Sequence, residues 1–235
     1  MQQSGIHTLY DPKDFGRNTI LDVVFIHGLQ ISDYEDAYKT TWESIIKEEN
    51  GTKSKVLWPR EWLGKEDEKE ARIVSVSYNS LAIISKLDPC MCKNPHGFEL
   101  IANKLLRRLM KARIGHVRPV ILVGHSLGGL IIKQICIEAN KPNSHFGKNE
   151  NAFLSNIKGV FFYATPHLGA KLAKLHKMFW LLPYEASPLM KYLGKSSGPE
   201  LMKLEDDFYK ACSSSKWKTV TLVEGRKTPI FKIMV

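Results

Sequence analysis

Gly124-His125-Ser126-Leu127-Gly128 has the pattern GxSxG, and the chemistry that pattern serves is nucleophilic attack by a serine hydroxyl. A hydroxyl is a weak nucleophile near neutral pH. It needs projection toward substrate, a base to take its proton and donors for the oxyanion that forms. The apolar run PVILV precedes the motif directly and LIIKQICIEAN follows it, so the context is strand, tight turn, helix. Side chains two positions either side of the serine would collide within such a turn, and Gly124 and Gly128 remove them. The helix opening after Ser126 turns its unpaired N–H groups and the positive end of its dipole toward the developing charge. His125 is locked beside the serine, facing the sheet.

The second oxyanion donor in this kind of site comes from the loop after an early core strand. Ile20 to Ile26 (ILDVVFI) is a β-branched run that stops at His27-Gly28-Leu29. The expected donors are the N–H groups of Leu29 and Leu127, with His27 a structural residue fixing the loop around Gly28. The acid should follow the serine in the chain and the histidine base should follow the acid. Glu224, just past WKTVTLV, either orients an imidazole or is a solvated loop carboxylate; Asp206 and Asp207, in an acidic helical stretch, are weaker alternatives. A base is expected beyond a strand starting near Pro229, yet the sequence ends at Val235 and has no histidine after His176. His167, in ATPHLG after an earlier strand, is the remaining substitute. The expectation is therefore a truncated or degenerate hydrolase with its last strand and histidine loop incomplete.

The elements that must position these residues read as an α/β domain. Strand-like runs recur at Ala71 to Tyr78, Pro119 to Val123, Ile157 to Tyr163 and Trp217 to Val223, and Pro229 to Val235 has the pattern of another. Between them lie helical patterns, clearest where Phe98, Ile101, Leu105, Leu109 and Ala112 make one apolar stripe. Alternating strands and helices imply a mostly parallel sheet with helices on both faces. The reading is one domain over 1–235. Residues 1–19 form an N-terminal extension, and 32–70 and 176–216 are caps over the site or surface excursions anchored by their aromatics.

VVFIHGL, WPREWL, ARIVSVSY, VILVGHSLGGLIIKQ and GVFFYATPHLGAK together resemble the serine-active-site-containing lipase-like family, α/β-hydrolases related to the GPI inositol-deacylases. The resemblance covers roughly residues 20 to 225. It implies Ser126 as nucleophile, ester hydrolysis or acyl transfer on a phospholipid-like substrate, and no metal or organic cofactor. It also implies association with mitochondrial or endoplasmic-reticulum membranes.

The 235 residues carry 34 Lys and Arg against 24 Asp and Glu, a formal net charge of +10, which suits an anionic membrane surface. Lys104, Arg107, Arg108, Lys111 and Arg113 lie opposite the Phe98 stripe, as a headgroup-binding or merely solvated face. No nucleic-acid module is recognisable. Cys90 and Cys92 lack the second ligand pair of a zinc site, and 4 cysteines do not make a disulfide scaffold, which favours an intracellular, reducing address. No signal core or membrane-spanning run is present. The last strand, at the sheet edge, is expected to promote self-association. Two functions compete: a lipid-ester serine hydrolase, and a catalytically inactive hydrolase fold that binds lipid or protein.

Overall fold

A computed structural model describes residues 5–30, 36–63, 70–81, 83–85, 98–141, 148–167, 184–187, 198–213 and 217–223. In chain order the strands are β1 (Ile6–Tyr10), β2 (Leu21–Ile26), β3 (Glu43–Lys47), β4 (Lys53–Leu57), β5 (Ala71–Val76), β6 (Ile83–Ser85), β7 (Val120–His125), β8 (Ile157–Tyr163), β9 (Tyr184–Ala186) and β10 (Lys218–Leu222). The helices are α1 (Ala37–Thr40), α2 (Phe98–Lys111), α3 (Leu127–Ala139), α4 (Lys148–Asn156) and α5 (Pro199–Cys212). Among the described residues six strands form one sheet in the order β1-β5-β2-β7-β8-β10, all parallel except β1, which runs antiparallel to β5. The strand that leads into Ser126 is thus central, as its wholly apolar sequence requires.

Side chains alternate between the two faces of the sheet. Val24, Ile26, Val74, Leu122, Val160 and Phe162 join the buried faces of α2, α3 and α5 in the larger core. α2 owes its place to the stripe read from the sequence: Phe98, Ile101, Leu105 and Leu109 are buried, while Lys104, Arg107 and Lys111 are exposed. α3 is buried almost all round, sandwiched between the sheet, α2 and α5. Val23, Phe25, Ile73 and Val123 face the other way, under short helical elements and the β3–β4 hairpin. There Trp42 is 3% exposed and meets Phe25 edge-on at 4.9 Å, and Trp58 meets Phe25 at 5.5 Å. A π-helical turn over Pro59–Leu63 extends this aromatic cover to Trp62.

Residues 1–19, expected as an extension, contribute β1 to the sheet edge, and residues 32–70 contain α1 and the β3–β4 hairpin. Residues 176–216 contribute β9 and α5, the latter packed on α3. The expected strand over Pro229 to Val235, with the self-association assigned to it, lies outside the described residues.

At the opposite end of the sheet from the GxSxG turn, the fully buried Asp22 accepts from Arg72 Nε at 2.7 Å and Arg118 Nη2 at 3.3 Å. A buried carboxylate is tolerable only when so paired. This knot ties β2, β5 and the start of β7 together away from the site.

Candidate active site

Ile26 of β2 pairs with Gly124 of β7, His125 of β7 with Tyr163 of β8, and Tyr163 with Leu222 of β10. The carboxyl ends of four parallel strands therefore lie level, at the edge where open α/β sheets place their ligands. Ser126 stands between β7 and α3 with φ 51° and ψ −121°, a backbone conformation that side-chain-bearing residues rarely adopt. Such strain persists only where the surroundings over-determine it. Here the Ser126 N–H donates to Tyr163 O at 2.8 Å, and Gly129 N–H donates to Ser126 O at 3.1 Å.

The glycines make room for that turn. A Cβ on Gly128 would collide with the carbonyls of Ile26 and His27, and one on Gly124 would lie 2.6 Å from the Gly129 Cα. A Cβ on Gly129 would run into the Thr165 side chain. A Cβ on Gly28 would come within 2.9 Å of both Ser126 Cβ and His125 O, so the loop after β2 lies directly against the serine. Among the described residues, no hydrogen bond uses the N–H of Leu29 or Leu127, and Leu127 opens α3, where an N–H has no partner within the helix.

His27 is fully buried. Its Nδ1–H donates to Gly28 O at 2.9 Å, its ring stacks on Tyr78 at 4.4 Å, and the Tyr78 hydroxyl donates to its carbonyl at 2.7 Å. Burial pushes its pKa down to about 4, so the ring is neutral at pH 7 and braces the loop. His125 ends β7, and its ring and that of Trp42 meet edge-on at 6.3 Å. Trp58 in turn lies 6.5 Å from Tyr163. The aromatic cover thus begins beside the serine.

His167 is engaged elsewhere. Its Nδ1 lies 2.6 Å from Lys133 Nζ and its backbone N–H donates to Thr165 O at 2.9 Å. Burial and the Lys133 charge hold its pKa below the usual value, against the opposing pull of Glu205. Among the described residues no side chain hydrogen-bonds the Ser126 hydroxyl. Asp206 and Asp207 lie in α5. Glu224, Cys90 and Cys92 lie outside the described residues. Sequence reading passed over Lys133, Glu205, Tyr78 and Thr165. For Lys133 a signal was present, since a lysine inside so apolar a helix must be buried and hence paired.

The sequence profile of the family described as "Putative serine esterase (DUF676)" matches residues 21–215. The chain belongs to the DUF676 family. Among curated proteins it is 32% identical to Protein SERAC1 of Mus musculus over 236 residues, covering 96% of this chain and 33% of that protein. It is 31% identical to Protein SERAC1 of Homo sapiens over 237 residues, 97% of this chain and 34% of that one. The chain thus spans about a third of the length of the curated relatives it matches. Among solved structures, Phospholipase PlaB from Legionella pneumophila overlays 90% of this chain and 40% of its own with a TM-score of 0.51 at 12% identity, a likeness of fold. Among the described residues, no helix is long and apolar enough to cross a membrane.

Proposed function

We propose that this chain is a serine hydrolase that cleaves or transfers the acyl group of a phospholipid-like ester, with Ser126 as nucleophile. The observation that carries the reading is the φ of 51° at Ser126, a strain for which a turn of structural purpose alone would use glycine. Ser126 Oγ attacks the carbonyl carbon and the carbonyl π electrons move to oxygen. The resulting oxyanion is held by the N–H groups of Leu29 and Leu127, where charge-stabilising donors have most effect. Collapse expels the alcohol and leaves an acyl-serine, which water hydrolyses or a second alcohol accepts. The serine proton passes to an imidazole base that is not among the described residues and that Glu224 would orient, and the same base returns that proton to the departing alkoxide.

Support for a lipid substrate comes from the family resemblance and from the net charge of +10, with Lys104, Lys111 and Arg113 exposed on and just beyond α2. Such a surface favours work beside anionic headgroups, consistent with the mitochondrial or endoplasmic-reticulum membrane that the resemblance implies. The test is hydrolysis of short- and long-chain nitrophenyl esters and of phospholipid vesicles by the chain and by Ser126→Ala. Turnover lost in the variant, together with a preference for long chains, is expected. Turnover that survives Ser126→Ala would overturn the assignment.

A second reading rests on a specific observation: no imidazole among the described residues is hydrogen-bonded to Ser126. On it the fold binds a lipid or protein without turnover. Lipid binding unaccompanied by any covalent labelling of Ser126 by a fluorophosphonate would favour that reading.

A further inference from the structure

Lys133 lies seven residues beyond Ser126 on α3, about 10 Å along the helix axis. Its side chain is fully buried, and no step of ester cleavage requires it. A buried ammonium must be compensated, and two other segments converge to do so. Glu205 of α5 accepts from Nζ, His167 lies 2.6 Å away through Nδ1, and the rings of Phe162 and Phe208 stand 5.4 and 5.6 Å from the charge. An ammonium only donates, so Nδ1 of His167 is the acceptor and the ring proton belongs on Nε2.

The segment that ends in His167 is the one that braces the serine. Tyr163 O receives the Ser126 N–H, Ala164 donates to Leu222 O at 2.8 Å with φ 47°, and Thr165 fills the space over Gly129. Gly129 and Lys133 are one turn apart on the same side of α3. The 163–167 segment is thus pinned to α3 at two successive turns, by packing at Gly129 and by charge at Lys133.

We propose that the half-buried Glu205 and His167 close as a clamp on the buried Lys133, holding the 163–167 segment on α3 and so keeping Ser126 in its strained turn, with His167 a neutral positioning residue rather than the base that deprotonates Ser126. The positioning half of this rests on the hydrolase reading; the clamp itself does not. Its pH dependence follows from the groups that face His167. These are Lys133 from α3 and Glu205 from α5, with Cys212 beside them, its thiol pushed up to about 12 by burial and therefore neutral. A protonated His167 cannot accept from Lys133 and sets two cations side by side. Acid should therefore open the clamp.

Two measurements on the full chain test it. In ¹⁵N-histidine spectra, His167 is expected as the Nε2–H tautomer with an accepting Nδ1, and Lys133→Met is expected to mix its tautomers and raise its pKa; an Nδ1–H ring in the unmodified chain overturns the clamp. The second is the rate at which a fluorophosphonate labels Ser126 between pH 5 and 8. His167→Gln keeps an acceptor for Lys133 but cannot act as base, so it should slow labelling less than about threefold, whereas His167→Leu should slow it about tenfold or more. The acid limb of the unmodified chain should follow the His167 titration seen by NMR and vanish in His167→Gln. Equal large losses in both variants at unchanged melting temperature would make His167 the base, and no loss in either would remove its positioning role; both results overturn the proposal. No labelling of the unmodified chain refutes the hydrolase reading and the positioning role with it, while the tautomer still decides whether the clamp exists.

Discussion

Ser126 holds a side chain at a strained backbone position, and that strain is measurable as stability. Replacing it with glycine removes the cost of holding a side chain at φ 51°, which is about 1 kcal/mol or more. Ser126→Gly should therefore melt about 2 to 4 °C above the unmodified chain while losing all turnover, as scanning calorimetry and the ester assay would show. Glycine also frees the unfolded chain at a cost of up to about 1 kcal/mol, so a melting temperature about 2 to 4 °C below that of the unmodified chain would mean the turn is not strained. Gly128→Val runs the other way: its side chain would meet the Ile26 and His27 carbonyls, neither of which can move without opening β2 from α3. A loss of more than about 2 kcal/mol is expected in urea titrations. His27 gives the pH-dependent case. Its pKa is about 4 folded and near 6.5 unfolded, so the unfolded chain binds more protons between those values and stability falls as pH drops from about 6.5 toward 4. The loss attributable to this one group should reach roughly 3 kcal/mol, read as the difference in acid sensitivity between the unmodified chain and His27→Gln.

Among elements, those whose sequence carries one strong period were legible, and those held by partners were not. PVILV is apolar throughout because β7 is covered on both sides, and the three-and-four spacing from Phe98 marks α2 because one face alone is buried. β1 escaped because IHTLY mixes polar and apolar residues and is half-buried at the sheet edge; its pairing with β5 is a tertiary event. The β3–β4 hairpin did leave a mark. Asn50-Gly51 sits between ESIIK and KSKVL, and Gly51 has φ 81°, the turn signal that the surrounding tryptophans and charges obscured. At the site the motif located Ser126, whereas the Lys133 clamp joins residues 133, 167 and 205, a convergence no local pattern records. The hairpin's hold on the sheet is testable at Trp42, which fills the space over Phe25. Trp42→Ala should cost about 3 to 5 kcal/mol by chemical denaturation, with Trp42→Phe recovering most of it.

At the scale of the molecule, a charge of +10 is a field rather than a contact, and its consequence is reach toward anionic surfaces. The outer side of α2 turns away from the core, with Lys104, Arg107, Lys111 and the following Arg113 exposed while Leu105 and Leu109 point inward. Near a phosphatidylserine surface each such side chain contributes about 1 kcal/mol, and that attraction is screened over about 10 Å at 0.1 M salt and about 3 Å at 1 M. Cosedimentation with vesicles containing phosphatidylserine should therefore be strong at 0.1 M salt, fall more than about tenfold at 1 M, and be absent with phosphatidylcholine alone. Charge removal at the edge of the patch, by Lys111→Gln with Arg113→Asn, should weaken binding about tenfold or more while moving the melting temperature by no more than about 4 °C, because neither side chain is buried and only the interaction of Lys111 with the end of the helix is lost. Asparagine is chosen at 113 because that residue has φ 57°, which asparagine adopts readily. Binding that ignores salt would place the membrane contact on apolar side chains instead, and binding that ignores the double variant would move the electrostatic contact off α2.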